Sequence, residues 1–281
     1  MILEVDNIHF HYPSGGRVLK GVSFKISRGE CVALLGVNGA GKSTLLKCIN
    51  AILSPSMGTV LIRGEDVRWW NRTEIAQKIG YVPQRSYETD LTVFEMIALG
   101  RRPYLNWSLG DKDHRIIDEV IISLGLQDLT MKRVSELSGG ELQKVMIGRA
   151  LAQTPEIFLM DEPTSHLDIR NQLEVMKIIR RITKNRKPPA ATIVCLHDVN
   201  LALRFADRLI FLKDGVIWAI TTPKDLDPDV VREVYGVRVQ KIYAGNHALV
   251  VPVDEEEYDE KISYSAPDVA YSSYRMAEHR S

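Results

Sequence analysis

Apolar and polar positions alternate along the first thirty residues: Leu3, Val5, Ile8 and Phe10, then Val18, Val22, Phe24 and Ile26, with Tyr12-Pro13-Ser14-Gly15-Gly16 between them. A period of two predicts two half-buried strands joined by a turn. The pattern then changes. CVALLG, residues 31–36, is continuously apolar and of strand length, as expected for a parallel strand covered on both faces. EIFLMDEP and ATIVCLHD repeat that signature, and KIGYVPQ reads as a further strand. TLLKCINAIL, LQKVMIGRALAQ (stopped before Pro155) and QLEVMKIIRRITKN read as helices, while GTVLIRGEDV and RLIFLKDGVIWAI read as hairpins. Buried strands alternating with helices predict an α/β fold with a parallel sheet wrapped by helices. Residues 92–135 look helical throughout, with breaks at Pro103 and Gly110, and interrupt the alternation. They predict an inserted helical subdomain spanning residues 88–150 or thereabouts within a domain of residues 1–253.

Composition narrows the class. With 281 residues, 45% hydrophobic and 26% charged, the chain reads as an ordinary globular protein rather than a disordered, collagenous or coiled-coil one. Cys31, Cys48 and Cys195 make an odd count, each inside an apolar run, which argues against a disulfide framework and for a reducing compartment. MILEVDNIHF carries no basic, apolar leader, and the longest apolar run, Cys31 to Val37, is far short of the ~20 residues that span a bilayer. The expectation is a cytosolic chain. The formal net charge of zero conceals an asymmetry: residues 254–281 hold eight acids and three Lys/Arg, a net of −5, leaving +5 on residues 1–253. Neither value argues for nucleic acid. The acidic, Tyr/Ser-rich stretch 254–281 predicts a disordered tail.

The chemistry begins at Gly36. Gly36-Val37-Asn38-Gly39-Ala40-Gly41-Lys42-Ser43-Thr44 fits the phosphate-loop pattern at every position, between a buried strand and a helix. Gly39 and Gly41 let the backbone close on phosphates, so that successive N–H groups point into one anion-sized cavity at a helix start. Lys42 is placed to reach the β and γ oxygens of ATP, and the Ser43 hydroxyl to ligate Mg²⁺. IFLMDEP puts adjacent carboxylates at the C-terminal end of a buried strand, 119 residues after Lys42. Asp161 is expected to hold Mg²⁺ through a water, and Glu162, facing the other way, to act as base for the attacking water. His197 ends the next buried strand and suits a γ-phosphate contact. Gln84 closes IGYVPQ, where its carbonyl can complete the Mg²⁺ shell or orient water.

A phosphate loop alone does not explain Leu137-Ser138-Gly139-Gly140-Glu141-Leu142-Gln143, which opens the helix LQKVMIGRALA and so supplies a second anion-binding helix N-terminus. Two such edges and one lysine loop suggest two copies meeting head to tail, each ATP lying between Lys42 of one and Ser138–Gly140 of the other. This combination resembles the nucleotide-binding subunits of ABC transporters. LSGGELQKV is similar to that family's signature, Ser165-His166-Leu167-Asp168 to its D-loop, Gln84 to its Q-loop glutamine, His197 to its switch histidine, and Tyr12 to the aromatic residue that stacks on adenine. The resemblance covers residues 1–253. It implies a P-loop fold of the ABC ATPase type: a mainly parallel core sheet, an N-terminal antiparallel β subdomain and an inserted α-helical subdomain. It also implies a homodimer with ATP at its interface, docked on integral-membrane permease subunits at the cytoplasmic side of the membrane and served indirectly by an extracytoplasmic solute-binding protein. LTVFEMIALGRRPYLNW, SHLDIRNQLEVM, LHDVNLALRFADRLIFLKDG and DVVREVYGVRVQKI resemble the ATPases of importers for iron–siderophore complexes, haem and cobalamin. A soluble ABC ATPase acting on ribosomes or DNA, and a P-loop kinase outside the family, are the alternatives. The first type carries paired cassettes or a long coiled coil, and the second lacks LSGGELQ.

Residues 85–107 place Tyr87, Leu91, Phe94, Tyr104 and Trp107 near Arg101 and Arg102, an aromatic and arginine mixture typical of interface cores. Because the segment follows Gln84, it is the expected permease-docking groove, with Arg101 and Arg102 both on its surface.

Overall fold

The computed structural model describes residues 1–13, 15–84, 89–105 and 107–253. The predicted tail at 254–281 and the groove residue Tyr87 lie outside them. In chain order the elements are β1 (Leu3–His11), β2 (Arg17–Ile26), β3 (Cys31–Leu35), α1 (Lys42–Ile49), β4 (Met57–Ile62) and β5 (Glu65–Asp66). Next come α2 (Arg72–Lys78), β6 (Ile79–Val82), α3 (Val93–Ala98), α4 (Asp111–Leu124), α5 (Gly139–Ala152), β7 (Ile157–Asp161) and α6 (Ile169–Asn185). The described chain closes with β8 (Ala191–Cys195), α7 (Val199–Phe205), β9 (Arg208–Lys213), β10 (Val216–Thr221), α8 (Pro228–Tyr235), β11 (Val239–Ala244) and β12 (His247–Pro252).

The alternating strands β1 and β2 pair antiparallel and join β4 and β5 in a four-stranded sheet, order β2-β1-β4-β5. The continuously apolar strands do what their composition demands. All five residues of β3, of β7 and of β8 are buried, and they lie side by side in a six-stranded sheet, order β10-β9-β3-β8-β7-β6, parallel except for the hairpin strand β10. One face of this sheet packs on α1 and the antiparallel sheet through Leu34, Leu45, Ile49, Ile157 and Ile193. The other packs on α3 to α8 through Phe158, Met160, Ile179, Phe211 and Val231. Both faces are dry, as parallel sheets require.

Between β6 and β7 the described chain is largely helical and is interrupted where the sequence puts the breaks. The stretch that starts with α3 ends in a 3₁₀ turn, Leu99–Tyr104, that contains Pro103, and helix resumes at Asp111 behind Gly110, the N-cap of α4. A further stop comes at Gly125, which ends α4 in the left-handed conformation (φ 65°). Helices α2, α7 and α8 and the hairpin β11–β12 had no clear periodicity. At seven or eight residues each helix is too short to show one, and their starts are set by side-chain caps at Asn71, Asp198 and Asp227. No helix among the described residues is long and apolar enough to cross a membrane, and all three cysteines are buried and free.

Candidate active site

The sheet order decides which residues meet. Since β3, β8, β7 and β6 are parallel neighbours, the segments leaving their C-terminal ends lie in a row: the glycine loop 36–41, then His197, then Glu162, then Gln84. This is the edge where open α/β sheets bind ligands.

In the loop, Gly36 has φ 149°, and a Cβ there would stand 2.2 Å from the carbonyl oxygen of Leu212, so only glycine fits. Gly39 (φ 81°) has nothing within 4 Å of a Cβ position, so the loop's other side is open, and Asn38 is exposed at its tip. Gly41 caps α1 at φ 105°. Lys42 is 5% exposed and donates to the carbonyls of Gly36 at 2.8 Å and Val37 at 3.1 Å. No carboxylate among the described residues pairs with it. A buried cation held only by two carbonyls, beside an open cradle of amides at a helix start, is matched to an anionic ligand, and a nucleotide's phosphates fit it. Thr44 is buried, with Oγ1 3.3 Å from the Tyr12 hydroxyl, and Tyr12 itself packs edge-on against Phe10. Tyr12 is 38% exposed, leaving part of its ring for stacking.

Ser43 Oγ donates to Asp161 Oδ1 at 2.9 Å, joining the start of α1 to the end of β7. Burial raises the Asp161 carboxyl above its ordinary range, against the Ser43 bond that lowers it. A hydroxyl and one carboxylate suit a divalent cation that takes its remaining oxygens from phosphates and water, the usual Mg²⁺ arrangement. Glu162 turns away from Asp161 because its backbone is left-handed (φ 52°), a conformation held by Ser165, whose N–H and Oγ both donate to the Glu162 carbonyl at 3.1 and 2.9 Å. Its carboxylate therefore points along the row. Gln84 Nε2 donates to Glu162 Oε2 at 2.5 Å, and His197 Nε2 lies 2.5 Å from Glu162 Oε1.

Ser138 caps α5, its hydroxyl accepting from the Glu141 N–H, while the Glu141 carboxylate returns bonds to the Ser138 N–H and hydroxyl. Those bonds hold the Glu141 carboxyl below its ordinary range. Gly140 is fixed by close approach: a Cβ would stand 2.7 Å from the Asn171 side chain, itself bonded to Asp168, the cap of α6. Gly139 faces Leu167. Ser138, Gly139, Gly140 and Asp168 thus form one surface, and no hydrogen bond among the described residues joins it to the lysine loop of the same chain. Gln143, one turn further on, has a buried Nε2 without a partner among the described residues.

A family model described as ABC transporter matches residues 19–165, more than half of the chain. An ABC transporter ATP-binding protein of Methanocaldococcus jannaschii is 49% identical over 253 residues, covering 90% of this chain and 98% of the relative. The chain belongs to the ABC transporter ATP-binding family. Further relatives are a phosphonates import ATP-binding protein of Synechococcus (37% identical, 84% of this chain and 90% of the relative) and a petrobactin import ATP-binding protein of Bacillus anthracis (34%, 81% and 84%). Among solved structures, a dimeric post-hydrolysis state of an ATP-binding cassette bound to ADP and Pi superposes with a TM-score of 0.70 at 29% identity, covering 80% of this chain and all of that one. The chain is accordingly an ATP-hydrolysing cassette with the α/β fold of that family.

Beside the ABC site lies a groove of about 740 Å³, lined by Ile52, Arg72, Tyr81, Leu99, Arg102 and Arg149 among others. The expected surface role of Arg101 is overturned. Arg101 is 3% exposed, its Nε bonds Asp113 Oδ1 at 2.8 Å, its Nη1 donates to the Ala152 carbonyl at 2.7 Å, and its guanidinium covers the Tyr104 ring. In a 3₁₀ turn Arg101 and Arg102 point to different sides, one into the helical body and one into the groove. Leu91 and Phe94 likewise pack on the core, whereas Trp107 is 99% exposed. Sequence reasoning missed Tyr235, at the end of α8, whose hydroxyl accepts the Gly36 N–H at 3.0 Å. Burial pushes that phenol up to about 12, so it stays neutral beside the phosphate loop.

Proposed function

We propose that this ABC ATPase energises a membrane importer for a metal chelate of the iron–siderophore, haem or cobalamin kind, working as a head-to-tail homodimer. The observation that carries the catalytic part is the convergence of Gln84 and His197 on the two oxygens of Glu162, beside the Ser43–Asp161 pair. When bound, Mg²⁺ and ATP supply a transferable γ-phosphoryl group and a cation that neutralises its charge. Lys42, with Gly36, Asn38, Gly39, Gly41 and Thr44 around it, holds the phosphates, and Tyr12 meets the base. Ser43, Asp161 and Gln84 hold the metal. Glu162 accepts a proton from the attacking water, and His197 donates to the transferred phosphate. Ser138, Gly139, Gly140, Gln143 and Asp168 serve the ATP of the second copy, a reading supported by the lack of any hydrogen bond to their own lysine loop and by the dimeric solved cassette.

The groove beside Gln84, with Arg72 and Arg102 on its walls, receives the permease, which places the chain at the cytoplasmic face of the membrane. A petrobactin import relative supports the metal-chelate class; a phosphonates import relative of similar identity defines the competing class. Uptake of labelled ferric siderophore, cobalamin and methylphosphonate in cells with and without the chain separates them. Loss of chelate uptake with phosphonate uptake intact is expected, and the reverse overturns the assignment.

A further inference from the structure

We infer that Asn200 is a positioning residue that ties His197 to the C-terminal hairpin β11–β12. His197 stands in a very short connection. On one side, β8 ends at Cys195, and the Leu196 N–H still bonds the Leu34 carbonyl at 3.2 Å, so the chain is fixed to the sheet up to one residue before His197. On the other side, Asp198 caps α7, its carboxylate accepting from the Asn200 N–H at 2.7 Å and the Leu201 N–H at 3.1 Å. The backbone of His197 is thus set jointly by the sheet edge at Leu196 and by the position of α7. The side chain is 43% exposed, so packing does little to hold the ring, and backbone placement is what aims it at Glu162.

Helix α7 has only seven residues, too few to be stable alone. Leu201, Ala202, Leu203 and Phe205 seat it in the core, and Asn200 ties its first turn to the hairpin. The Asn200 Oδ1 accepts the Val250 N–H at 2.8 Å, and its Nδ2 donates to the Val250 carbonyl at 3.1 Å. Val250 lies opposite Lys241 in the β11–β12 ladder, and both its backbone groups turn outward to Asn200. The carboxamide takes the place of a third strand, offering one acceptor and one donor at the spacing a backbone would. Ala248 and Val250 are each 6% exposed beneath this contact. The hairpin is far from the phosphate loop in sequence, yet its bonds end three residues from the histidine that faces Glu162.

The inference rests on the reading of His197 as the group that meets the transferred phosphate. Four full-length proteins test it: unaltered, Asn200→Ala, His197→Ala and the double variant. ATP affinity in the absence of Mg²⁺, steady-state kcat and KM, and melting temperature are measured for each. Misplacing His197 predicts a kcat about 10- to 100-fold lower in Asn200→Ala, with ATP affinity held within twofold. On the His197→Ala background, Asn200→Ala should lower kcat no further. An unchanged kcat in Asn200→Ala, or an equal additional loss on the His197→Ala background, overturns the inference. Full activity in His197→Ala overturns the reading of His197 itself, a distinct result. Should Asn200→Ala not fold, Asn200→Asp keeps the shape and the acceptor for Val250 N–H while losing the donor, and the same comparisons decide.

Discussion

Glu162 and His197 are held face to face, Oε1 to Nε2 at 2.5 Å, by two strands that are neighbours in space and separated by a helix in sequence. Strand order brings the two residues to one edge, and the left-handed backbone of Glu162 turns its carboxylate toward His197. β7 and β8 lie adjacent and parallel, so the residues just past their ends share one edge. With Gln84 on the remaining Glu162 oxygen, the carboxylate is claimed on both sides.

Glu162→Gln should abolish hydrolysis while sparing ATP binding, because an amide hydrogen-bonds but cannot accept a proton at that oxygen. ATP then stays trapped, and two chains should elute together in gel filtration with millimolar ATP and Mg²⁺. A variant that remains monomeric under those conditions removes the main support for the head-to-tail arrangement.

Lys42→Ala should weaken ATP binding by about 10- to 100-fold, the scale of one charge-assisted hydrogen bond to phosphate. The free loop loses only its contacts to the Gly36 and Val37 carbonyls, so melting should change little. An equilibrium titration giving affinity within threefold of the unaltered chain would rule out Lys42 as a phosphate ligand.

Much of the site was legible because its residues sit at strand ends, and continuous apolar runs make such strands easy to place. Asp161, Glu162, His197 and Gln84 were each located by the run before them. Arg101 was misplaced because composition cannot tell which side of a 3₁₀ turn faces the body; its partners, Asp113 and the Ala152 carbonyl, are 12 and 51 residues away. Tyr235 and Asn200 were invisible for a related reason: each acts through bonds to backbone atoms, at Gly36 and Val250, and backbone partners leave no mark on residue type.

Arg101→Ala should lower the melting temperature by on the order of 10 °C, since breaking a buried pair strands Asp113 and the Ala152 carbonyl. The effect should depend on pH. The Arg101 hydrogen bond, with the Gly110 N–H, holds the Asp113 carboxyl below its ordinary value. Its contribution is therefore complete above the unfolded carboxyl's pKa, near ~4, and is lost as pH falls through the lowered folded value. Melting curves of the two proteins should thus converge in acid. A gap that widens below that pH contradicts the pairing.

A chain ending at Val253 should keep its ATPase rate and melting temperature, because residues 254–281 offer little apolar surface to bury. Differential scanning calorimetry and a coupled assay on both lengths check this. A fall of more than ~5 °C would mean that the acidic stretch packs on the body.

Arg102→Glu together with Arg72→Glu should uncouple hydrolysis from transport. Both side chains line the groove that also contains Tyr81, and the strand carrying Tyr81 runs directly into Gln84. A permease segment seated there would press on the residue that bonds Glu162, so that occupancy of the groove would be felt at the Glu162 carboxylate. Neither arginine bonds the phosphate loop, so the isolated subunit's basal hydrolysis should persist. With the permease in vesicles, assembly and solute-stimulated hydrolysis should both drop, because two reversed charges oppose whatever acidic or dipolar groups the arginines met. Normal uptake and assembly in the double variant would place the docking site elsewhere.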